Sequence, residues 1–239
     1  MVACCRLTWI LTALYDKINR TEPALVRAMV REGAQRLAGV LAALTPGVRG
    51  GGSGYAVRIV DGNHLPATEK RLKALRGLRG AALPGHTLVV YDPQLGLAVD
   101  IVPCEDAHAQ ERSLTEALLA LAAPGQLWVA DRNFSTTRLF EGFADQGAVF
   151  IVRRHGRSPR VVESGLPRRA GRTATGRVDE QPVTITRRDG RPLRLRQVRV
   201  HLAAPTQNGD TTVVLLTNVP ATRLTARAVA EHYRGRWTI

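Results

Sequence analysis

Ala56-Val57-Arg58-Ile59-Val60-Asp61-Gly62-Asn63-His64 decides the fold class of this 239-residue chain. Val57, Ile59 and Val60 read as a short buried strand. The glycine-rich run Gly50 to Gly54 leads into it, and Gly62-Asn63 supplies turn chemistry after it. The strand is therefore expected to stop at Asp61. A carboxylate at the end of a buried strand is costly unless something pairs with it, and a metal ion is one such partner.

The pattern returns downstream. Gln126-Leu127-Trp128-Val129-Ala130-Asp131 is a second apolar run that ends in aspartate. Between the two, His86 to Tyr91 and Gly96 to Val102 read as a hairpin around the turn Asp92-Pro93-Gln94-Leu95-Gly96. Asp106 to Ala122 has helical spacing, closed by Pro124-Gly125. Ser135 is placed to cap a helix over Thr136 to Asp145, which Gly147 ends, and Ala148 to Val152 forms another short strand. Upstream, residues 7–18 and 23–44 read as helices, either a DNA-contacting accessory region or helices packed on the sheet. Thr68 to Arg76 is a basic stretch, helix or loop. Trp128 and Phe134 read as core, and His64 as a turn histidine or a neighbour of the site.

Composition points to a polyanion partner. The formal net charge is +14, carried by 31 Arg and 3 Lys. Residues 153–200 alone hold 14 Arg against four acids. That segment is either a nucleic-acid-facing field or a solvated basic surface. It is rich in Gly and Pro, with strand fragments at Pro182 to Thr186, Leu193 to Val200 and then Thr211 to Thr217. From Thr225 a helical pattern follows through Val229, Tyr233 and Trp237. Three cysteines without metal spacing suit a reducing compartment, and no apolar run approaches the ~20 residues of a membrane span. These features are read as a soluble cytoplasmic protein.

Two strands that both end in aspartate meet if they are neighbours in one sheet. Paired carboxylates there are hard ligands for Mg²⁺ or Mn²⁺. Two such ions suit cleavage of a phosphodiester. Asp61-Gly62-Asn63-His64, Asp131-Arg132-Asn133-Phe134 and Tyr233-Arg234-Gly235-Arg236-Trp237-Thr238-Ile239 together resemble the DDE transposases of bacterial insertion sequences. Within these the chain is similar to the group with the Tyr-x₂-Arg-x₃-Glu-x₆-Lys signature.

The resemblance implies an α/β fold: a ribonuclease-H-like mixed sheet with flanking helices, N-terminal helices and a β-rich insertion. The corresponding division is 1–54 for the N-terminal helical region and 55–156 for the first part of the catalytic core. Residues 157–220 form the Arg-rich insertion and 221–239 the start of the final core helix. It implies a two-ion Mg²⁺ or Mn²⁺ site on Asp61 and Asp131. The implied DNA contacts are Tyr233 and Arg236, Tyr233 being alternatively a core residue. Arg132, Arg153 and Arg154 are read as further candidate DNA contacts, Arg132 alternatively as a structural ion pair and Arg153 and Arg154 alternatively as solvated surface. The implied partners are double-stranded DNA and, in the full-length protein, a second copy. The implied reaction is metal-dependent DNA cleavage and strand transfer, in a nucleoid-associated protein.

Two departures stand out. The signature's glutamate falls one position past Ile239, so the chain is expected to be C-terminally truncated. Glu231 does not substitute, because nine steps of 100° put it on the opposite helix face. No Phe, Tyr or Trp lies between residues 151 and 232, so a flipped base has no aromatic platform there and is either not captured by stacking or stacks on an arginine face. A catalytically inactive DNA-binding remnant or inhibitor, and a general ribonuclease-H-like nuclease, are the competing readings.

Overall fold

The computed structural model describes residues 22–44, 54–65, 85–104, 111–156 and 158–236. Its strands are β1 (Ala56–Leu65), β2 (Gly85–Asp92), β3 (Leu97–Cys104), β4 (Gln126–Ala130), β5 (Val149–Arg153), β6 (Val161–Glu163), β7 (Arg168–Thr173), β8 (Gly176–Thr186), β9 (Pro192–Leu202) and β10 (Thr212–Thr217). The helices are α1 (Pro23–Leu44), α2 (Thr115–Leu119), α3 (Thr137–Asp145) and α4 (Ala226–Gly235). All ten strands join one mixed sheet, in the order β3-β2-β1-β4-β5-β10-β9-β8-β6, with β7 paired to β8. β1 pairs antiparallel with β2 and parallel with β4, and β4 pairs parallel with β5. A large mixed sheet flanked by helices is consistent with the expected ribonuclease-H-like fold.

The central strands are buried on both faces, which is why β4 and β5 read as unbroken apolar runs. On one face Val60, Trp128, Ala130 and Phe150 pack against Leu118 of α2 and Phe140 and Phe143 of α3. Trp128 stacks on Phe143 at 5.4 Å between ring centroids, and Phe140 on Phe150 at 4.5 Å. Such pairs add roughly 1 kcal/mol each beyond the area they bury. On the other face Val57, Ile59, Leu127, Val129 and Ile151 pack against Val229, Ala230 and Tyr233 of α4.

Several expectations change. β1 does not stop at Asp61, because β2 keeps hydrogen-bonding to it as far as Leu65. Gly62-Asn63 is therefore strand and not turn; it is β4 that ends, at Ala130. The helix expected over Asp106 to Ala122 is shorter: within the described residues it is a 3-10 turn (Glu111–Leu114) followed by α2. Thr136, not Ser135, caps α3, its Oγ1 accepting from the Leu139 N–H at 3.2 Å. Ser135 is buried and donates to the Ser158 carbonyl instead. α1 forms as expected, but Leu25, Met29, Leu37 and Val40 are exposed. α1 is instead tied to β3 by Arg27, whose Nε donates to Asp100 at 2.8 Å. The expected elements over 7–18 and 68–76, the His64 side chain, Trp237 and Ile239 lie outside the described residues.

β8 and β9 run side by side over eleven residue pairs. At their end Gly176 sits so close that a Cβ would fall 1.9 Å from the His201 carbonyl oxygen. Replacing it with alanine forces the backbone of the hairpin apart. Gly176→Ala is expected to lower stability by about 3 kcal/mol, read as a lower urea midpoint at an unchanged slope.

Candidate active site

β1 and β4 pair with a constant offset: Val57 opposite Leu127, Ile59 opposite Val129. The same offset carried two residues on sets Asp61 beside Asp131, whose backbone is still extended at φ −81 and ψ −176. β4 and β5 keep their own offset, Val129 opposite Ile151, so two residues on Asp131 stands beside Arg153. Neighbouring strands are about 4.8 Å apart. Asp61, Asp131 and Arg153 thus form a row across the C-terminal ends of three parallel segments. Because side chains alternate, the row lies on the α4 face, where Ile59, Val129 and Ile151 also lie.

Thr225 caps α4, its side chain accepting from the Ala228 N–H. The far end of the helix reaches the row. Tyr233 is buried there, and Arg236 follows one turn later. Arg236 Nη1 donates to Asp61 Oδ2 at 2.8 Å, and its guanidinium lies 5.7 Å from the centre of the Tyr233 ring. Burial raises the Asp61 carboxyl above its ordinary value; Arg236 lowers it, Asp131 raises it and the Gly62 N–H lowers it. The side chain is still 58% exposed, so solvent screens part of that burial effect. Asp131 Oδ1 accepts from the Asn133 N–H at 2.7 Å and caps the 3-10 turn Arg132–Phe134. Burial also raises the Tyr233 hydroxyl, against the charges of Arg236 and Arg153.

The remaining residues singled out by sequence divide three ways. Arg153 belongs to the row but donates to Asp210 Oδ2 at 2.7 Å. Arg132 is exposed at the rim, close enough to Asp210 to lower its carboxyl. Arg154 does not join the site: one residue past Arg153, it reaches Gln197 on the opposite face of the sheet. Glu231 pairs with Arg234 at 2.8 Å, away from the row. A cleft of about 400 Å³ opens beside Tyr233 and Arg153, floored by Val200, Val213 and Leu215 and edged by Gln207 and Asn208.

Two hard carboxylates on adjacent strands are the donor chemistry Mg²⁺ or Mn²⁺ requires, and they fit it as part of a ligand set. Among the described residues no third Asp, Glu, His or Cys joins them. The Transposase DDE domain family model matches residues 52–239. The chain belongs to this transposase family. No curated protein matches the sequence.

Sequence reading missed the groups that hold α4 of this DDE domain in place. Arg196 on β9 donates through Nε to the buried Glu180 at 2.5 Å. Its Nη1 donates to the carbonyls of Val219 at 2.7 Å and Leu224 at 3.0 Å, in the segment just before the helix. Nothing in a run of arginines distinguishes the one that reaches those carbonyls. Arg196→Ala is expected to cost about 3 kcal/mol, because Glu180 is left buried with Arg168 alone and two carbonyls lose their donor. A drop in the thermal midpoint of several degrees checks this.

His232, the neighbour of Tyr233, gives a pH signature. Burial lowers its imidazole below the ordinary value of 6.5. The folded domain therefore binds fewer protons than the unfolded chain. The stability this contributes is complete above pH 6.5 and is lost as pH falls through the folded value. Thermal melts of wild type and His232→Gln across this range are expected to diverge, with the variant showing the flatter pH dependence on the acid side.

Proposed function

We propose that this DDE domain binds double-stranded DNA at transposon ends and carries the site for metal-dependent cleavage and strand transfer. Within the family it is read as a member of the Tyr-x₂-Arg-x₃-Glu-x₆-Lys group. The observation that carries this is the row of Asp61, Asp131 and Arg153 facing Tyr233 and Arg236. In this reading Asp61 and Asp131 hold Mg²⁺ or Mn²⁺. When bound, the ions supply activation of the attacking water or 3′-hydroxyl and neutralisation of charge on the phosphodiester. The signature assigns the third carboxylate to the position after Ile239.

The chain's own residues do the rest. Arg132, at the rim, supplies a positive charge to a phosphate beside the aspartates. Tyr233 offers a buried hydroxyl beside the Arg236 guanidinium, a pairing that suits a phosphate oxygen brought to the site. Arg236 lies within the same reach. Arg153 sets the local potential through its pair with Asp210, and Arg154 has no part at this face. Further out, Arg160, Arg169, Arg172 and Arg194 are exposed and make no ion pair among the described residues, so they are free to follow a DNA backbone. A homodimer on DNA in the bacterial nucleoid belongs to the same proposal.

A non-catalytic DNA-binding role is the second reading, favoured by one observation: within the described residues only two carboxylates gather at the site. A single set of assays separates them. Duplex affinity is expected to fall steeply between low and moderate salt in both readings, and salt-independent binding overturns both. Residues 1–239 are expected to nick poorly, and an extension supplying the signature's glutamate to gain Mg²⁺-dependent nicking. In the extended chain Asp61→Asn or Asp131→Asn is expected to reduce nicking by at least about a hundredfold while duplex binding persists. Nicking that survives either substitution defeats the catalytic reading.

A further inference from the structure

The pair between Arg236 and Asp61 is lopsided. The arginine side chain is 5% exposed and the carboxylate 58%. Arg236 takes Oδ2 at 2.8 Å and the Gly62 N–H takes Oδ1 at 3.0 Å, so both oxygens of Asp61 are engaged. On the neighbouring strand Asp131 has one oxygen committed, to the Asn133 N–H. Two carboxylates side by side repel unless a cation stands against them. A guanidinium and a divalent ion answer that same need. They compete for the lone pairs of Oδ2, and their like charges oppose joint occupancy.

We propose that Arg236 is the resident counter-cation of Asp61 and gives up Oδ2 when a divalent cation binds the two aspartates, turning its guanidinium toward DNA phosphate. The inference rests on Asp61 and Asp131 being metal ligands. Arg236 lies just past α4, at the C-cap. Its release therefore breaks no interior turn of the helix. Metal binding and phosphate binding become linked through one side chain, and linkage is reciprocal: DNA that draws Arg236 away raises the affinity of the aspartates for metal.

The test uses Mn²⁺ and the whole chain. Mn²⁺ binding followed by electron paramagnetic resonance is expected to be about tenfold tighter in Arg236→Gln than in wild type. Equal affinity overturns the exchange but leaves the metal site standing, whereas no binding to either protein overturns both. A second measurement covers a variant that fails to fold. Phenylglyoxal labelling of wild-type Arg236, read by mass spectrometry, is expected to be slow without metal and at least about fivefold faster with Mn²⁺ bound. Mn²⁺ binding with unchanged labelling overturns the proposal. In chelator, Asp61→Asn and Asp131→Asn each remove one negative charge, but only the first removes the carboxylate that pairs with Arg236. Asp61→Asn is expected to bind a duplex several-fold tighter than Asp131→Asn, and equal affinities overturn the transfer of Arg236 to phosphate.

Discussion

Register in the parallel part of the sheet is the constraint on which the rest depends. β4 is bonded on both sides, to β1 and to β5, and keeps a fixed offset with each. Side chains alternate with a period of two, so a slip of one residue in either pairing would send an aspartate to the wrong face. The apolar residues forbid that slip. Val57, Ile59, Leu127, Val129 and Ile151 fill one core, and Val60, Trp128, Ala130, Phe150 and Val152 fill the other. Shifting a strand by one residue would exchange two sets of different size and bring the charged ends into an apolar layer. The alignment of Asp61, Asp131 and Arg153 is thus a by-product of packing that lies entirely beneath it.

The arginines serve two purposes that sequence alone does not separate. Arg196 and Arg168 hold Glu180, Arg187 reaches Asp145, Arg188 reaches the buried Glu141, and Arg199 reaches Glu163. These pairs join β8 and β9 to their neighbours and to α3, and Arg196 also joins them to the segment before α4. Pairing does not cancel the excess, because residues 153–200 hold only four acids for their 14 arginines. It fixes where the excess sits. The paired arginines are located by structure, and the exposed ones that make no ion pair among the described residues are left at the surface, where a polyanion can approach them.

What was legible in the sequence follows from range. The buried strands, and Asp131 as the residue just past the end of β4, were readable because apolar runs are local signals. The place where β1 ends was not: its last residues are held by β2, with Leu65 opposite Gly85, and Asp61-Gly62-Asn63 carries the composition of a turn while serving as strand. Thr136 displaced Ser135 as the cap of α3 because Ser135 is drawn to the Ser158 carbonyl, a contact no local pattern encodes. The same holds for Arg153 and Arg154. Adjacent and chemically identical, they lie on opposite faces, and only the offset between β4 and β5 says which one stands beside Asp131. Asp210, the partner of Arg153, sits in a loop and had no signal at all.

Helix polarity adds a further constraint on what the site can hold. α4 directs its C-terminal end at the row, with His232 and Arg234 in its last turn and Arg236 at its cap. That end of a helix carries partial negative charge from unsatisfied carbonyls. It adds to two aspartates on neighbouring strands, so the space between them favours cations, and backbone groups there cannot receive a phosphate as a helix N-terminus would. A cation at the helix C-cap offsets that charge, and the buried Arg236 guanidinium takes this place. The same field draws Arg236 onto Asp61 when no other cation is there. In this structure Arg236 is the cation that stands against Asp61.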